Sequence, residues 1–369
     1  MDDFWQNATH YDEVYEDIPH DTQSHDSLFQ LITNGILLTF VATLGILGNV
    51  ISIIVLAQPQ MRSSINCCFI ALATFDTSVL IAAILMCGLR AIPAKDFEIY
   101  HLVIFPTLMP WVYPFGLIAQ TGSVWITVTV TAERYIAVCH PLKAKSVCTY
   151  GRARVYIILI TILSIIYNLP RFWEVQKIYI THHVTNETVI AAIPTDLRRN
   201  PYFVRIYLTW LYLVVMYVVP FLCLSLLNVF IWCQVQTANR ERRRLSKHQR
   251  KEISLALMLL CVVVVFFICN CLALVVNILE AFNIINDNLT QMSNLLVTVN
   301  SSVNFIIYCI FGQKFRRILQ RLLCCRFCHY QVDENLEESV YPMPSFNTDT
   351  KPLFFSSNGT SFYSTRSKR

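Results

Sequence analysis

Charge and glycine are what this 369-residue sequence has least of: 14% of its residues are charged and nine are glycine, against 55% hydrophobic and 12% aromatic. A mean hydropathy of +0.48 lies on the membrane side of ordinary globular usage. No lysine or arginine occurs before Arg62, while the first 26 residues hold eight acids. No basic stretch is interleaved with aromatics, which excludes nucleic acid as a partner. No Walker loop, no His-Glu-x-x-His and no paired CxxC motifs with metal spacing occur, so neither an enzyme nor a metal centre is expected. Cysteine is missing from the acidic N-terminus and from Arg171 to Pro201, so the 14 cysteines imply no disulfide framework. A basic n-region before an apolar core is also missing, so no cleavable signal is expected and the first apolar segment serves as its own insertion signal.

What the sequence has is length in apolar runs. A spanning helix needs about 20 mostly apolar residues. Seven segments qualify, roughly 29–57, 65–89, 102–135, 153–174, 203–235, 253–281 and 289–311. The expected fold is all-α: a seven-transmembrane helix bundle over 29–312, preceded by an acidic extracellular N-terminus (1–28). A short amphipathic eighth helix on the inner leaflet (313–325) and a disordered cytoplasmic tail (326–369) follow. No internal repeat and no paired broken helices are visible, which speaks against a transporter, and no charged pore lining suggests a channel.

Orientation follows from the basic residues. With the N-terminus outside, 18 lysines and arginines lie on or near the inner connections and the start of the tail, against seven on the outer side, the last four tail residues of this kind aside. The N-terminus is therefore expected outside, in a multi-pass protein of the plasma membrane. Glycosylation sequons at Asn7 and Asn186 fall on that outer side. In the eighth segment Phe315, Ile318, Leu319, Leu322 and Leu323 keep helical spacing opposite basic residues, the pattern of a helix on a membrane surface. Cys324, Cys325 and Cys328 at its end are candidates for palmitoylation, with free cytosolic thiols the alternative. The Ser- and Thr-rich tail is open to phosphorylation.

The run Ile126 to Leu142 organises the rest. It sets Glu133, Arg134 and Tyr135 at the end of an apolar segment, with Pro141 six residues after the tyrosine. Ionisable groups near hydrocarbon are costly and mark function, although a snorkelling pair at the membrane edge has the same appearance. Four further signatures occur in order: Gly48-Asn49, Leu72-Ala73 with Asp76, Pro220, and Asn304-Phe305-Ile306-Ile307-Tyr308. Together these resemble the rhodopsin-like (class A) G-protein-coupled receptors over about residues 30 to 325.

Asp76 is a lone carboxylate in an apolar helix and must be paired or neutralised. Asn49, Ser123, Asn300, Ser301 and Asn304 are its candidate partners. The resemblance implies a sodium ion held at Asp76, Ser123, Asn300 and Ser301; a protonated carboxyl in a plain hydrogen-bond network is the other reading. No further cofactor is implied. For Arg134 the resemblance implies a latch. At rest it pairs with Glu133 and Glu252; with agonist bound, the sixth helix swings out and Arg134 turns to a heterotrimeric G protein. Glu252 reads equally as a solvated acid beside Arg250 and Lys251. Kinases and arrestin are expected at the tail.

The departures narrow the reading. Met109 stands where the third-helix cysteine of the family is expected, and the following outer loop has no cysteine. No disulfide is expected there, which leaves the loop's anchoring open. In the sixth helix Phe266 and Cys269 keep the family pattern, but Asn270 replaces Trp and Leu272 replaces Pro, so a weaker kink is expected. Asn228 takes the place of the fifth-helix tyrosine. Gly116 stands where amine receptors carry their ligand-binding Asp, which speaks against an amine ligand, and Thr298 stands where opsins carry the retinal lysine, which excludes a photoreceptor.

The runs Cys148 to Ala153, Tyr167 to Glu174, Ala238 to Arg242 and Ser293 to Ser302 resemble invertebrate FMRFamide-type neuropeptide receptors, which bind short peptides ending in Arg-Phe-amide. An acidic outer surface steers a cationic ligand. Glu174 and Glu280 are the candidates for the peptide arginine, and Tyr207, Trp210 and Tyr217 for its aromatic ring. The alternatives are rim charges and an interfacial aromatic belt. A class A receptor for a different peptide or a lipid is the rival function.

Overall fold

In the computed structural model the described residues are 28–93, 96–181, 188–240, 247–282, 284 and 286–327. Seven helices among them are long and apolar enough to cross a bilayer. They are α1 (Leu28–Leu56), α2 (Ser64–Ala91), α3 (Tyr100–Cys139), α4 (Tyr150–Trp173), α5 (Pro201–Thr237), α6 (Leu260–Ala281) and α7 (Asp287–Phe311). α6 is the apolar part of one longer helix, Lys247–Ala281. A further helix, α8, spans Gln313–Phe327. The expected seven-helix bundle is present.

Polar caps set the helix starts. The Ser63 hydroxyl accepts from the Asn66 N–H at 3.3 Å, and the Asn286 side chain accepts from the Leu289 N–H at 3.0 Å. Each satisfies a donor that a first turn leaves open. Large apolar side chains such as Ile36, Leu44, Leu163, Leu226 and Ile268 stand exposed, as a hydrocarbon solvent requires. The core lies between the helices. One cluster joins α1, α2, α3, α7 and α8 through Phe69, Leu72, Ile126, Val130, Tyr308 and Phe315. A second joins α3, α5 and α6 through Val124, Tyr217, Leu224, Val263 and Phe266. Where α1 meets α7 the approach is close: a Cβ on Gly45 would lie 2.3 Å from the Ser302 hydroxyl, so only glycine fits.

Three features lie beyond the sequence reading. Wide π-type turns occur at Leu31–Leu38, Ile84–Gly88, Tyr100–Ile104, Val204–Leu211 and Val214–Val218. All fall in the halves of α1, α2, α3 and α5 farthest from Arg134. Such turns loosen the backbone and favour functional regions. α7 is interrupted at Val303, between Asp287–Ser302 and Asn304–Phe311, although the family proline is absent there. Third, the connection between α4 and α5 is an antiparallel hairpin of β1 (Val175–Thr181) and β2 (Thr188–Pro194), paired from Val175↔Pro194 to Thr181↔Thr188. The sixth helix, without its proline, runs from Lys247 to Ala281 as one α-helix.

A single residue, Gly312, separates α7 from α8. Its Phe315 and Ile318 are buried, and the Phe315 ring lies 5.8 Å from that of Tyr308. Arg316 and Arg317 are exposed on the other side. Residues 322–327 are the last turns of α8.

Candidate functional site

The Arg134 end is built from α2 and α3. Ile126 and Val130 bury themselves in the first core cluster and fix the roll of α3. That roll turns Glu133 and Arg134 inward, to 4% and 6% exposure, so neither is a snorkelling surface charge. The Ser64 hydroxyl, on the first turn of α2, donates to Glu133 Oε1. Tyr135 is half-buried, its ring 5.9 Å from Phe230 on α5. The helix ends at His140, and Pro141 opens a two-turn helix, Pro141–Val147, that leads to α4. Pro141 itself is exposed. Glu252 lies on the helix Lys247–Ala281, and its side chain lies outside the described residues.

A polar centre sits in the middle of the bundle. Asp76 is fully buried. It accepts a hydrogen bond from the Ser123 hydroxyl at 2.6 Å and from the Asn304 amide at 2.8 Å, which joins α2, α3 and α7. Asn49 donates to the Ser301 carbonyl at 3.1 Å and so adds α1. Asn300 is half-buried one residue before Ser301, and no hydrogen bond joins it to Asp76 among the described residues. Tyr308 is buried against Phe69, 4.9 Å between rings, on the path from Asp76 to α8. The donors facing Asp76 are neutral hydroxyls and amides, and the Asn49 side-chain oxygen has no protein partner. The Asp76 oxygens and the Ser123 hydroxyl are oxygen ligands of the kind a hard cation takes, whereas the Asn304 amide N–H can only donate.

At the opposite end the hub is Arg171, only 5% exposed. Its guanidinium donates to the Tyr113 hydroxyl at 3.1 Å and meets Glu174 Oε1 at 3.3 Å. It also lies over the rings of Tyr207 and Tyr212, at 5.2 and 5.5 Å. Glu174 is 1% exposed, and its other oxygen meets Arg198 at 3.5 Å. Burial pushes the Glu174 carboxyl above its ordinary value, against the opposing pull of the two arginines. Thr195 ties the end of β2 back to the same place, its N–H donating to the Glu174 carbonyl at 3.0 Å. The loop that has no cysteine is therefore held at its root by an ion pair, a phenol and backbone hydrogen bonds.

The other proposed ligand residues are scattered around this hub. The Tyr207 hydroxyl donates to the Tyr167 carbonyl at 2.6 Å. Tyr217 is buried and accepts from the Asn277 amide at 3.3 Å, which links α5 to α6. Glu280 is exposed at the end of α6. Trp210 is 47% exposed and stands apart from the cluster. Asn7, Asn186 and Cys328 lie outside the described residues, as do the side chains of Cys324 and Cys325.

The family described as "7 transmembrane receptor (rhodopsin family)" matches residues 48–308. The chain belongs to that family. The receptor is 52% identical over 287 residues to a Drosophila melanogaster protein named "FMRFamide receptor", covering 77% of this chain and 52% of that relative. It thus spans about half the length of that relative. It is 34% identical over 310 residues to the Caenorhabditis elegans "Probable G-protein coupled receptor frpr-1", with 79% of each chain covered. With the Caenorhabditis elegans "FMRFamide peptide receptor frpr-18" it shares 32% identity over 307 residues, covering 77% of this chain and 68% of the relative.

Arg171, Arg198, Tyr113, Tyr212 and Asn277 were missed as site residues in this receptor's sequence. For Arg171 a signal existed: a basic residue closing an apolar run with an acid three positions on, the spacing of a helical ion pair. For Tyr113 and Arg198 there was none, because they reach the hub from segments 58 residues before and 24 residues after their partners.

Proposed function

We propose that this receptor binds a short amidated peptide ending in Arg-Phe-amide at its extracellular face and passes the signal to a heterotrimeric G protein at Arg134. The observation that carries this reading is the 52% identity to the Drosophila melanogaster protein named "FMRFamide receptor". The acidic N-terminus suits a cationic ligand, and the wide turns sit in the helix halves around the Arg171 hub. The receptor lies in the plasma membrane with its N-terminus outside, an orientation supported by the asymmetry of its basic residues. Asn7 and Asn186 are glycosylated there, α8 lies on the inner leaflet, and one or more of Cys324, Cys325 and Cys328 carry palmitate. The tail recruits kinases and arrestin. The test is a calcium assay in cells carrying a promiscuous G protein. An Arg-Phe-amide peptide is expected to evoke a response, and silence to every such peptide alongside a response to another ligand defeats the reading.

Signalling rests on a two-state latch, with Arg134 held by Glu133 and Glu252 at rest and freed when the sixth helix moves. A pair made in one state and broken in the other biases the equilibrium by its differential energy. Glu252→Ala is expected to raise basal signalling at equal surface expression, read as agonist-free nucleotide exchange; an unchanged basal rate contradicts the latch.

Asp76, Ser123, Ser301 and Asn300 hold a sodium ion in the resting state, supported by the neutral oxygen-rich surroundings of a fully buried carboxylate. The ion stabilises the resting bundle and opposes agonist binding. Raising sodium is therefore expected to weaken agonist affinity in the wild type and to have no effect in Asp76→Asn. Equal sodium sensitivity in both proteins excludes the site.

A further inference from the structure

We propose that Arg198 is a built-in stand-in for the arginine of the peptide ligand, occupying Glu174 until the ligand displaces it. This deepens the proposed function and rests on its reading of the ligand as a cationic peptide.

The two arginines on Glu174 differ in kind. Arg171 is 5% exposed and is fixed from several sides by Tyr113, Tyr207 and Tyr212. Its role is structural. Arg198 is 42% exposed and makes one contact to Oε2 at 3.5 Å, with a single guanidinium nitrogen. A half-exposed ion pair of this geometry is weak and salt-screened. Arg198 is carried by a single helical turn, Asp196–Arg199, between β2 and α5. Thr195, immediately before that turn, bonds back to Glu174 and Trp173, which keeps the arm next to its partner. The arm thus has a pinned base and a loosely held tip.

The chemistry of exchange is favourable. Glu174 is 1% exposed, and its Oε2 is shared by Arg171 and Arg198, each at 3.5 Å, so losing Arg198 leaves the buried carboxylate one cation fewer, at a cost. Replacing one guanidinium by another keeps two cations on the carboxylate throughout. Glu280, exposed at the end of α6, lies within electrostatic reach of Arg198. It offers the displaced arm a second carboxylate, and the arm's move would then link the α4–α5 loop to α6. A neutral ligand has no means of displacing Arg198, so the arm also selects for cationic peptides.

The test compares wild type with Arg198→Gln at matched surface display, using an Arg-Phe-amide peptide and its citrulline analogue, which keeps the shape and loses the charge. If the arm holds the carboxylate about nine-tenths of the time, removing it makes the arginine peptide about tenfold more potent. The citrulline peptide gains nothing, and Arg198→Lys, which keeps a cation, stays near wild type. A response to the arginine peptide in Arg198→Gln alone supports the same conclusion. Unchanged or reduced potency in Arg198→Gln, or an equal gain for citrulline, overturns the stand-in and leaves the proposed ligand in place. Silence of both receptors to the arginine peptide overturns the proposed ligand and the stand-in together.

Discussion

Arg171→Met is expected to remove most receptor from the cell surface. The substitution leaves Glu174, 1% exposed, facing only a half-exposed Arg198. Removing one partner of a buried ion pair costs about 3–5 kcal/mol, because the remaining charge stays desolvated without compensation. Native stabilities are about 5–15 kcal/mol, so the loss is a large part of the total. Tyr113 loses its hydrogen bond to the guanidinium, and the cation over Tyr207 and Tyr212 is lost as well. The double variant Arg171→Met with Glu174→Met is expected to recover much of the display, since an apolar pair of similar volume often matches or exceeds a buried salt bridge. Surface labelling of the two variants checks both expectations. Normal display of Arg171→Met contradicts an ionic anchor for the cysteine-free loop. The same experiment separates anchoring from ligand contact at Glu174: a purely ligand-binding acid leaves display untouched.

The seven-helix architecture was legible because a bilayer demands it. Each span must satisfy its own backbone and present apolar side chains outward, and both demands leave long unbroken apolar runs in the sequence. Asp76 was legible for the same reason, as a carboxylate surrounded by hydrocarbon residues. Its partners Ser123 and Asn304 were named from the sequence, and both donate to it. The hairpin Val175–Thr181 with Thr188–Pro194 was not legible, since Thr188, Val189 and Ile190 alternate only weakly and the turn between the strands carries no two-residue hairpin signal. The Arg171 hub was obscured by a general expectation about charge. Residues counted as topology signals or as ligand acids are here paired with each other, and such pairing depends on three segments meeting in space. The interruption of α7 at Val303 has no sequence cue either, because the proline that accounts for one in the family is absent.

The central claim is that the buried Arg134 is the element that hands the signal to the G protein. Its burial at 6% exposure, beside Glu133 with its Ser64 hydrogen bond, places it where a change in helix packing changes its partners. A neutral side chain at this position removes the group that the proposed active state presents to the G protein, while the Arg171 hub at the other end is untouched. The direct measurement is agonist-driven nucleotide exchange on purified G protein by Arg134→Gln receptor, alongside peptide binding to the same sample. The account predicts retained peptide binding with exchange reduced at least about a hundredfold, the loss that follows from about 2.7 kcal/mol of active-state interaction. Exchange at the wild-type rate from peptide-occupied Arg134→Gln receptor contradicts it.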